Sequence, residues 1–163
     1  MTANIKSIPD GYHTLTPYLV VQGAAQALEF YKNAFAASEL SRLNAPDGNI
    51  AHAEFKIGDS IFMLADENPH CSDHSPKALG GTPVKLFLYV ADVDTVFAAA
   101  IQAGATQTRP PADQFWGDRM GAVSDPFGHQ WLLATHIEDV DPSEMPSRMA
   151  AFFAVQAAGG GTV

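Results

Sequence analysis

His52 and Glu54 stand two residues apart in Ile50-Ala-His-Ala-Glu-Phe-Lys-Ile, whose alternation of apolar and polar residues predicts a strand. Residues two apart on a strand share a face, so the imidazole and carboxylate project side by side if Ala51, Ala53 and Phe55 pack on the other. Such a pair can orient a proton-transfer group or join His136 in an unusual metal site; it also suits a histidine hydrogen-bonded inside a sheet. Lys85 offers an ammonium to an anionic ligand, unless its stem fills space and its charge pairs with Glu54. His70, Cys71, Asp73 and His74 have ligating side chains, but Pro69 and Pro76 bracket a polar stretch with no helix to align them. That stretch reads as a linker with a solvent-facing thiol. From Asp113 to Arg119, Phe115 and Trp116 lie beside Gly117. This segment either closes over a planar or aliphatic ligand, or packs its tryptophan beneath the loop with Asp118 and Arg119 paired.

The elements that must position these groups come in duplicate. Thr16-Pro-Tyr-Leu-Val-Val lies over Lys85-Leu-Phe-Leu-Tyr-Val, and Gly58-Asp-Ser-Ile-Phe-Met-Leu over Gly128-His-Gln-Trp-Leu-Leu-Ala. A tandem repeat predicts two copies of one supersecondary unit around a shared cleft. Ala24, Ala27, Leu28, Tyr31 and Phe35 form one helical stripe, repeated by Val93, Val96, Phe97, Ala100 and Gly104. Asp92 and Asp94 suit the second helix's N-terminus, and Gly104 its C-terminal turn. Period-two patterns follow: Ile50 to Ile57 and Ser60 to Ala65 joined at Gly58-Asp59, then Arg119 to Ser124 and Gln130 to Thr135 joined through Asp125-Pro-Phe-Gly128. With short strands at Ser38 to Arg42 and Thr106 to Thr108, each half reads βαβββ.

At 163 residues and 47% hydrophobic content the chain can fill one domain or two half-domains sharing a core. Its single cysteine excludes an internal disulfide, and no N-terminal apolar run suggests secretion or a membrane span, so the expected location is cytoplasmic. Nine Lys and Arg against eighteen Asp and Glu give a formal charge of −9, which opposes binding to nucleic acid or an anionic membrane and mildly favours cationic ligands.

Thr16-Pro-Tyr-Leu-Val-Val, Glu29-Phe-Tyr-Lys-Asn-Ala-Phe, His52-Ala-Glu, Tyr89-Val-Ala-Asp-Val-Asp, Gly117-Asp-Arg-Met-Gly and Asp125-Pro-Phe-Gly-His-Gln-Trp together resemble the vicinal oxygen chelate superfamily. That group contains glyoxalase I, bleomycin resistance proteins, extradiol dioxygenases and fosfomycin resistance enzymes, and the nearer likeness is to its PhnB-like branch. The resemblance spans roughly Tyr12 to Val140 and implies an α+β fold: paired βαβββ modules, a cupped eight-stranded mixed sheet, and usually a homodimer that completes the site. The expected division is an N-terminal arm (1–11), first module (12–66), linker (67–83), second module (84–140), C-terminal helix (141–155) and flexible tail (156–163). The helix carries a start pattern at Asp141-Pro-Ser-Glu and a sticky side of Met149, Phe152 and Phe153, while Pro146 shifts its expected start toward Ser147. Whether the modules pair within or between chains depends on the linker, which is long enough for either.

Metal-dependent members hold one divalent ion with His, Glu or Gln on the first and last strands of each module. The resemblance carries those positions onto Thr16, Phe62, Lys85 and Leu132, none of which is a competent ligand at neutral pH. Strand parity turns Pro17, Leu19 and Val21, with Leu86, Leu88 and Val90, toward the helices. Thr16, Tyr18, Val20, Lys85, Phe87 and Tyr89 then face the cup with Phe62, Leu64, Leu132 and Ala134, while His136 lies at a strand end. The expected ligand-binding set is therefore Thr16, Tyr18, His52, Glu54, Phe62, Lys85, Phe87, Tyr89, Trp116, Leu132 and His136. The leading reading is a cofactor-free protein that sequesters a small cationic or aromatic compound. Two alternatives stay open: a lyase, isomerase or dioxygenase with one divalent metal ion on displaced ligands such as His52, Glu54 and His136, and a metal-free enzyme using Lys85 or His52.

Overall fold

The computed structural model describes residues 5–158. Its first half runs β1 (Tyr18–Val21), α1 (Ala24–Phe35), β2 (Ser38–Asn44), β3 (Ile50–Ile57) and β4 (Ser60–Asp66), in sheet order β1-β4-β3-β2. After a 3-10 turn at Pro69–Cys71 and the short helix α2 (Pro76–Leu79), the plan repeats. β5 (Lys85–Tyr89), α3 (Val93–Gln102), β6 (Thr106–Asp113), β7 (Asp118–Ser124) and β8 (Gln130–His136) give the order β5-β8-β7-β6. β1 is parallel to β4 and β5 to β8; the other neighbours are antiparallel. The α+β class and the paired βαβββ modules are those expected. Within one chain, however, the eight strands form two four-stranded sheets, the two halves of the anticipated cup.

The periodic stripes explain how the layers meet. On α1, Ala24, Ala27, Leu28, Phe30, Tyr31, Ala34 and Phe35 are buried, and they pack with Val93, Phe97 and Ala100 of α3 in one core shared by both modules. Trp131 of β8 stands 4.6 Å from Phe35 and 5.5 Å from Tyr31, ring centre to ring centre, so the first helix reaches the second sheet. Polar groups fix the helix starts. Asp92 accepts from the N–H groups of Asp94 and Thr95, as its position suggests, whereas α1 is capped from a distance by Asp66, which accepts from Gly23 and Ala24 N–H.

A second carboxylate locks the modules together. Asp125, 4% exposed, accepts the Tyr31 hydroxyl (2.9 Å) and Trp131 Nε1 (3.0 Å) on one oxygen and the N–H groups of Phe127 and His129 (both 2.9 Å) on the other. The aromatic helix motif of one half is thereby bonded to the Asp-Pro-Phe-Gly turn of the other.

Three features differ from expectation. Phe62 and Leu64 do not face the open side: they are 6% and 0% exposed, with Phe62 against Phe55 (5.1 Å) and Trp131 (5.8 Å). Matching Gly58 to Gly128 equates turns of unequal length, since Ile57 pairs with Ser60 but Ser124 with Gln130. A one-residue slip exchanges strand faces, and the registers Tyr18 to Met63 and Phe87 to Leu132 make Met63 the true counterpart of Leu132. β6 is longer than Thr106 to Thr108, continuing through Pro110 and Pro111 with register shifts, which an edge strand tolerates. α4 spans Met145–Ala158, starting before Ser147 because Pro146 falls in the first turn, where its missing N–H costs nothing. It extends past residue 155; the rest of the anticipated tail, and residues 1–4 of the arm, lie outside the described residues. No helix among those residues is long and apolar enough to cross a membrane.

Candidate functional site

The sheet faces turned away from the helices carry the polar candidates. On the first, His52 and Glu54 project from β3 between the buried Ala53 and Phe55. The His52 ring centre lies 5.8 Å from that of Tyr18 on β1, and its Nε2 is 3.5 Å from Glu54 Oε1. The chain ahead of β1 borders an open hollow of about 490 Å3 on this face, lined among others by Ile8, Tyr12, Thr14, Thr16, Glu54 and Met63. The nearby Tyr12 hydroxyl first, then His52 and Ser41, hold the Glu54 carboxyl below its usual range despite partial burial, and the same carboxylate raises the Tyr12 phenol. The hollow therefore presents an ionised carboxylate at neutral pH among apolar and hydroxyl groups.

The second open face is built around Asp118, which is 2% exposed. Its Oδ2 accepts the Tyr89 hydroxyl and Trp116 Nε1, both at 3.0 Å, and its Oδ1 lies 2.8 Å from His136 Nδ1. Burial pushes its carboxyl up, but these three donors together outweigh it and leave the group below its usual range. His136, on β8, also meets Asp139 through Nε2 at 3.0 Å; Asp139 first and Asp118 second raise its imidazole above the ordinary value. Phe87 and Tyr89, 45% and 60% exposed, stand 4.9 Å apart along β5, with Leu132 beside Phe87 on β8 and Lys85 exposed at the strand's start.

The Trp116 loop is a fixed wall. Gly117 accepts the N–H groups of Ile137 and Glu138 on its carbonyl, and a Cβ there would collide with the Glu138 carbonyl. Phe115 packs on Phe152 of α4, at 5.4 Å. The alternative pairing of Asp118 with Arg119 does not occur, because neighbours on a strand point to opposite faces; Arg119 binds Asp94 and Asp113 instead. Nor does Lys85 neutralise Glu54, whose polar neighbours are Tyr12, His52 and Ser41.

The donor chemistry does not fit the ion that the resemblance implies. With the register corrected, the four positions present the Thr16 hydroxyl just ahead of β1, the Met63 thioether, the Lys85 ammonium and the Leu132 isobutyl group, no set for a hard or borderline divalent cation. The displaced set is not brought together: His52 and Glu54 lie on the first sheet, whereas His136 lies on the second with both nitrogens engaged. Among the described residues no three His, Cys, Asp or Glu side chains converge in metal-holding geometry, those of the linker included.

Three site residues escaped sequence reasoning. Tyr12 precedes the repeat and has no periodic signal. Met63 was displaced by the glycine alignment. Asp118 was detectable, since it sits two residues before the buried Met120 and shares its strand face.

Comparison with known proteins agrees with this fold. The family model described as "Glyoxalase/Bleomycin resistance protein/Dioxygenase superfamily" matches residues 12–133. A Mycobacterium tuberculosis protein, Rv0887c, is 46% identical over 140 residues, covering 84% of this chain and 82% of that protein. The crystal structure of TioX from Micromonospora sp. ML1 superposes with a TM-score of 0.62 at 27% identity, covering 77% of this chain and 99% of that one. A PhnB protein from Bacillus cereus shares the fold, with a TM-score of 0.60 at 21% identity over 76% of this chain and 99% of its own.

Proposed function

Because the chain belongs to the glyoxalase/bleomycin resistance protein/dioxygenase superfamily, we propose that it binds a small organic ligand against its open sheet faces without the divalent ion of the metal-dependent members. The observation that carries this reading is the donor set itself: hydroxyl, thioether, ammonium and isobutyl groups at the four strand positions. The surroundings support it, since Tyr18, Phe87 and Tyr89 expose aromatic surface and Glu54 supplies a carboxylate for a cationic or donor-bearing ligand. The metal-free enzyme reading has less support, because the His52 to Glu54 contact of 3.5 Å is too long for a strong acid–base pair.

The proposed assembly is a homodimer. β1 and β5 are the outer strands of their sheets. Setting β1 of one copy beside β5 of another joins the Thr16, Tyr18 and Glu54 face to the Lys85, Phe87 and Leu132 face in a single cleft and covers part of the exposed aromatics.

Protein purified without chelator is to be analysed for metals and titrated with metal-free bleomycin, a cationic aromatic probe, by calorimetry. Binding without stoichiometric metal supports the reading. Stoichiometric zinc, nickel, manganese or iron refutes it, and light scattering that shows only monomer removes the dimer.

A further inference from the structure

The duplicated fold supplies an internal control for its second open face. By the sheet registers, Val20 and Ile50 of the first module stand where Tyr89 and Asp118 stand in the second. Ile50 is 2% exposed, as Asp118 is, so this strand position accepts an aliphatic side chain and the fold itself does not require a carboxylate there. Burying a charge is costly unless it is well hydrogen-bonded. The second module offsets that cost by aiming three aromatic groups at one carboxylate: the Tyr89 hydroxyl and Trp116 Nε1 on Oδ2, both at 3.0 Å, and His136 Nδ1 at 2.8 Å from Oδ1. Tyr89 is nonetheless 60% exposed, beside Phe87 at 45%. Exposed side chains ordinarily change rotamer within nanoseconds; this tyrosine is held by its far end while its ring stays open to solvent.

We propose that Asp118 is a positioning residue of the ligand site: through the Tyr89 hydroxyl it fixes an aromatic platform of Tyr89 and Phe87 that receives a planar organic cation. The assignment of the platform to a ligand rests on the function proposed above. Two effects act together. The bond holds the Tyr89 ring 4.9 Å from that of Phe87, centre to centre, so a ligand meets a preformed surface. A phenol that donates to a carboxylate also carries a more electron-rich ring, which strengthens its attraction for a cation. The surrounding charges agree with this. Asp118 and Asp139 flank His136 and leave one net negative charge even when the imidazole is protonated. Arg119 is on the opposite face, paired with Asp94 and Asp113, and Lys85 lies at the other end of β5, about 13 Å along the strand from Tyr89.

The test uses the full-length protein and two probes with one ring system, naphthylmethyl-trimethylammonium and naphthylmethanol, titrated by NMR. The chain has two tryptophans, whose indole N–H signals report separately. Trp116 shares its acceptor oxygen with Tyr89, and Trp131, bonded to Asp125 and 1% exposed, monitors the fold. The cation is expected to shift the Trp116 signal, leave Trp131 unmoved, and bind about fivefold tighter than the alcohol, the preference that an aromatic face gives a cation at an open site. Tyr89→Phe keeps the ring and leaves Trp116 and His136 bonded to Asp118, so the loop stays fixed, yet the preference should fall below about twofold. Asp118→Asn should lower it likewise and also move the Trp116 signal of the free protein. A purely structural Asp118 would leave Tyr89→Phe like the native protein. The proposal is overturned by a cation bound no tighter than the alcohol, by a preference that survives in Tyr89→Phe, or by a bound cation that leaves Trp116 unmoved; binding of metal-free bleomycin by the same protein then keeps the proposed function. If neither probe nor bleomycin binds, the function fails together with the platform.

Discussion

Replacing Asp125 by asparagine tests whether the two modules are joined through one buried carboxylate. Asp125 accepts four hydrogen bonds at 2.9 to 3.0 Å while 4% exposed, two from its own turn, one from Trp131, and one from Tyr31 across the module boundary. Tyr31→Phe deletes one donor and leaves the carboxylate three, so its cost is that of one hydrogen bond to a charged group, about 1.5 to 3 kcal/mol. Asp125→Asn is worse, because an amide has a single acceptor oxygen. Whichever way it turns, its NH2 meets at least one buried N–H that has no other partner, that of Trp131 or those of Phe127 and His129, and the charge assistance is lost, giving about 3 to 5 kcal/mol. In the double variant the tyrosine hydroxyl has little left to lose, so the two costs fall short of additivity by about 1 to 2 kcal/mol. Urea unfolding followed by circular dichroism and tryptophan fluorescence at fixed protein concentration measures all three. A cost under about 1 kcal/mol for Asp125→Asn, or strict additivity of the pair, refutes the reasoning.

Two further outcomes follow from the geometry. Phe62→Ala should cost about 3 to 5 kcal/mol and Met63→Ala less than about 2, because one fills the shared core and the other an open face; the reverse order in the same assay contradicts the corrected register. The imidazole of His136 is raised above its ordinary 6.5 by Asp139 and then Asp118, so the stability it confers is complete below 6.5 and fades as pH rises through the native value. NMR titration of His136 should show the raised value falling in both Asp118→Asn and Asp139→Asn. A native value at or below 6.5, or one unmoved in both variants, refutes this.

The modules were legible because helices announce themselves locally: the stripe from Ala24 to Phe35 and the cap at Asp92 are encoded within a few residues. Sheet faces were harder to read. Parity along β4 depends on how many residues the preceding turn uses, and two superficially alike glycines stood at different distances from the strands they precede, which turned Phe62 outward on paper and inward in the molecule. His52 and Glu54 were readable as neighbours because their spacing alone sets it, whereas Tyr12 reaches Glu54 across more than forty residues of chain and leaves no local trace. Asp118 lay between: its strand position was accessible, but its three donors come from Tyr89, Trp116 and His136 on separate segments.

The bond between Tyr31 and Asp125 makes the duplicated halves unequal. Where the first helix presents a phenol, the same position of the second helix holds Ala100, buried and without a donor. A chain assembled from two second halves would bring methyl groups to a site that needs a hydroxyl, so its parts would match in outline and still fail to clasp. The halves resemble each other as lock and key cut from one blank, and neither can stand in for the other.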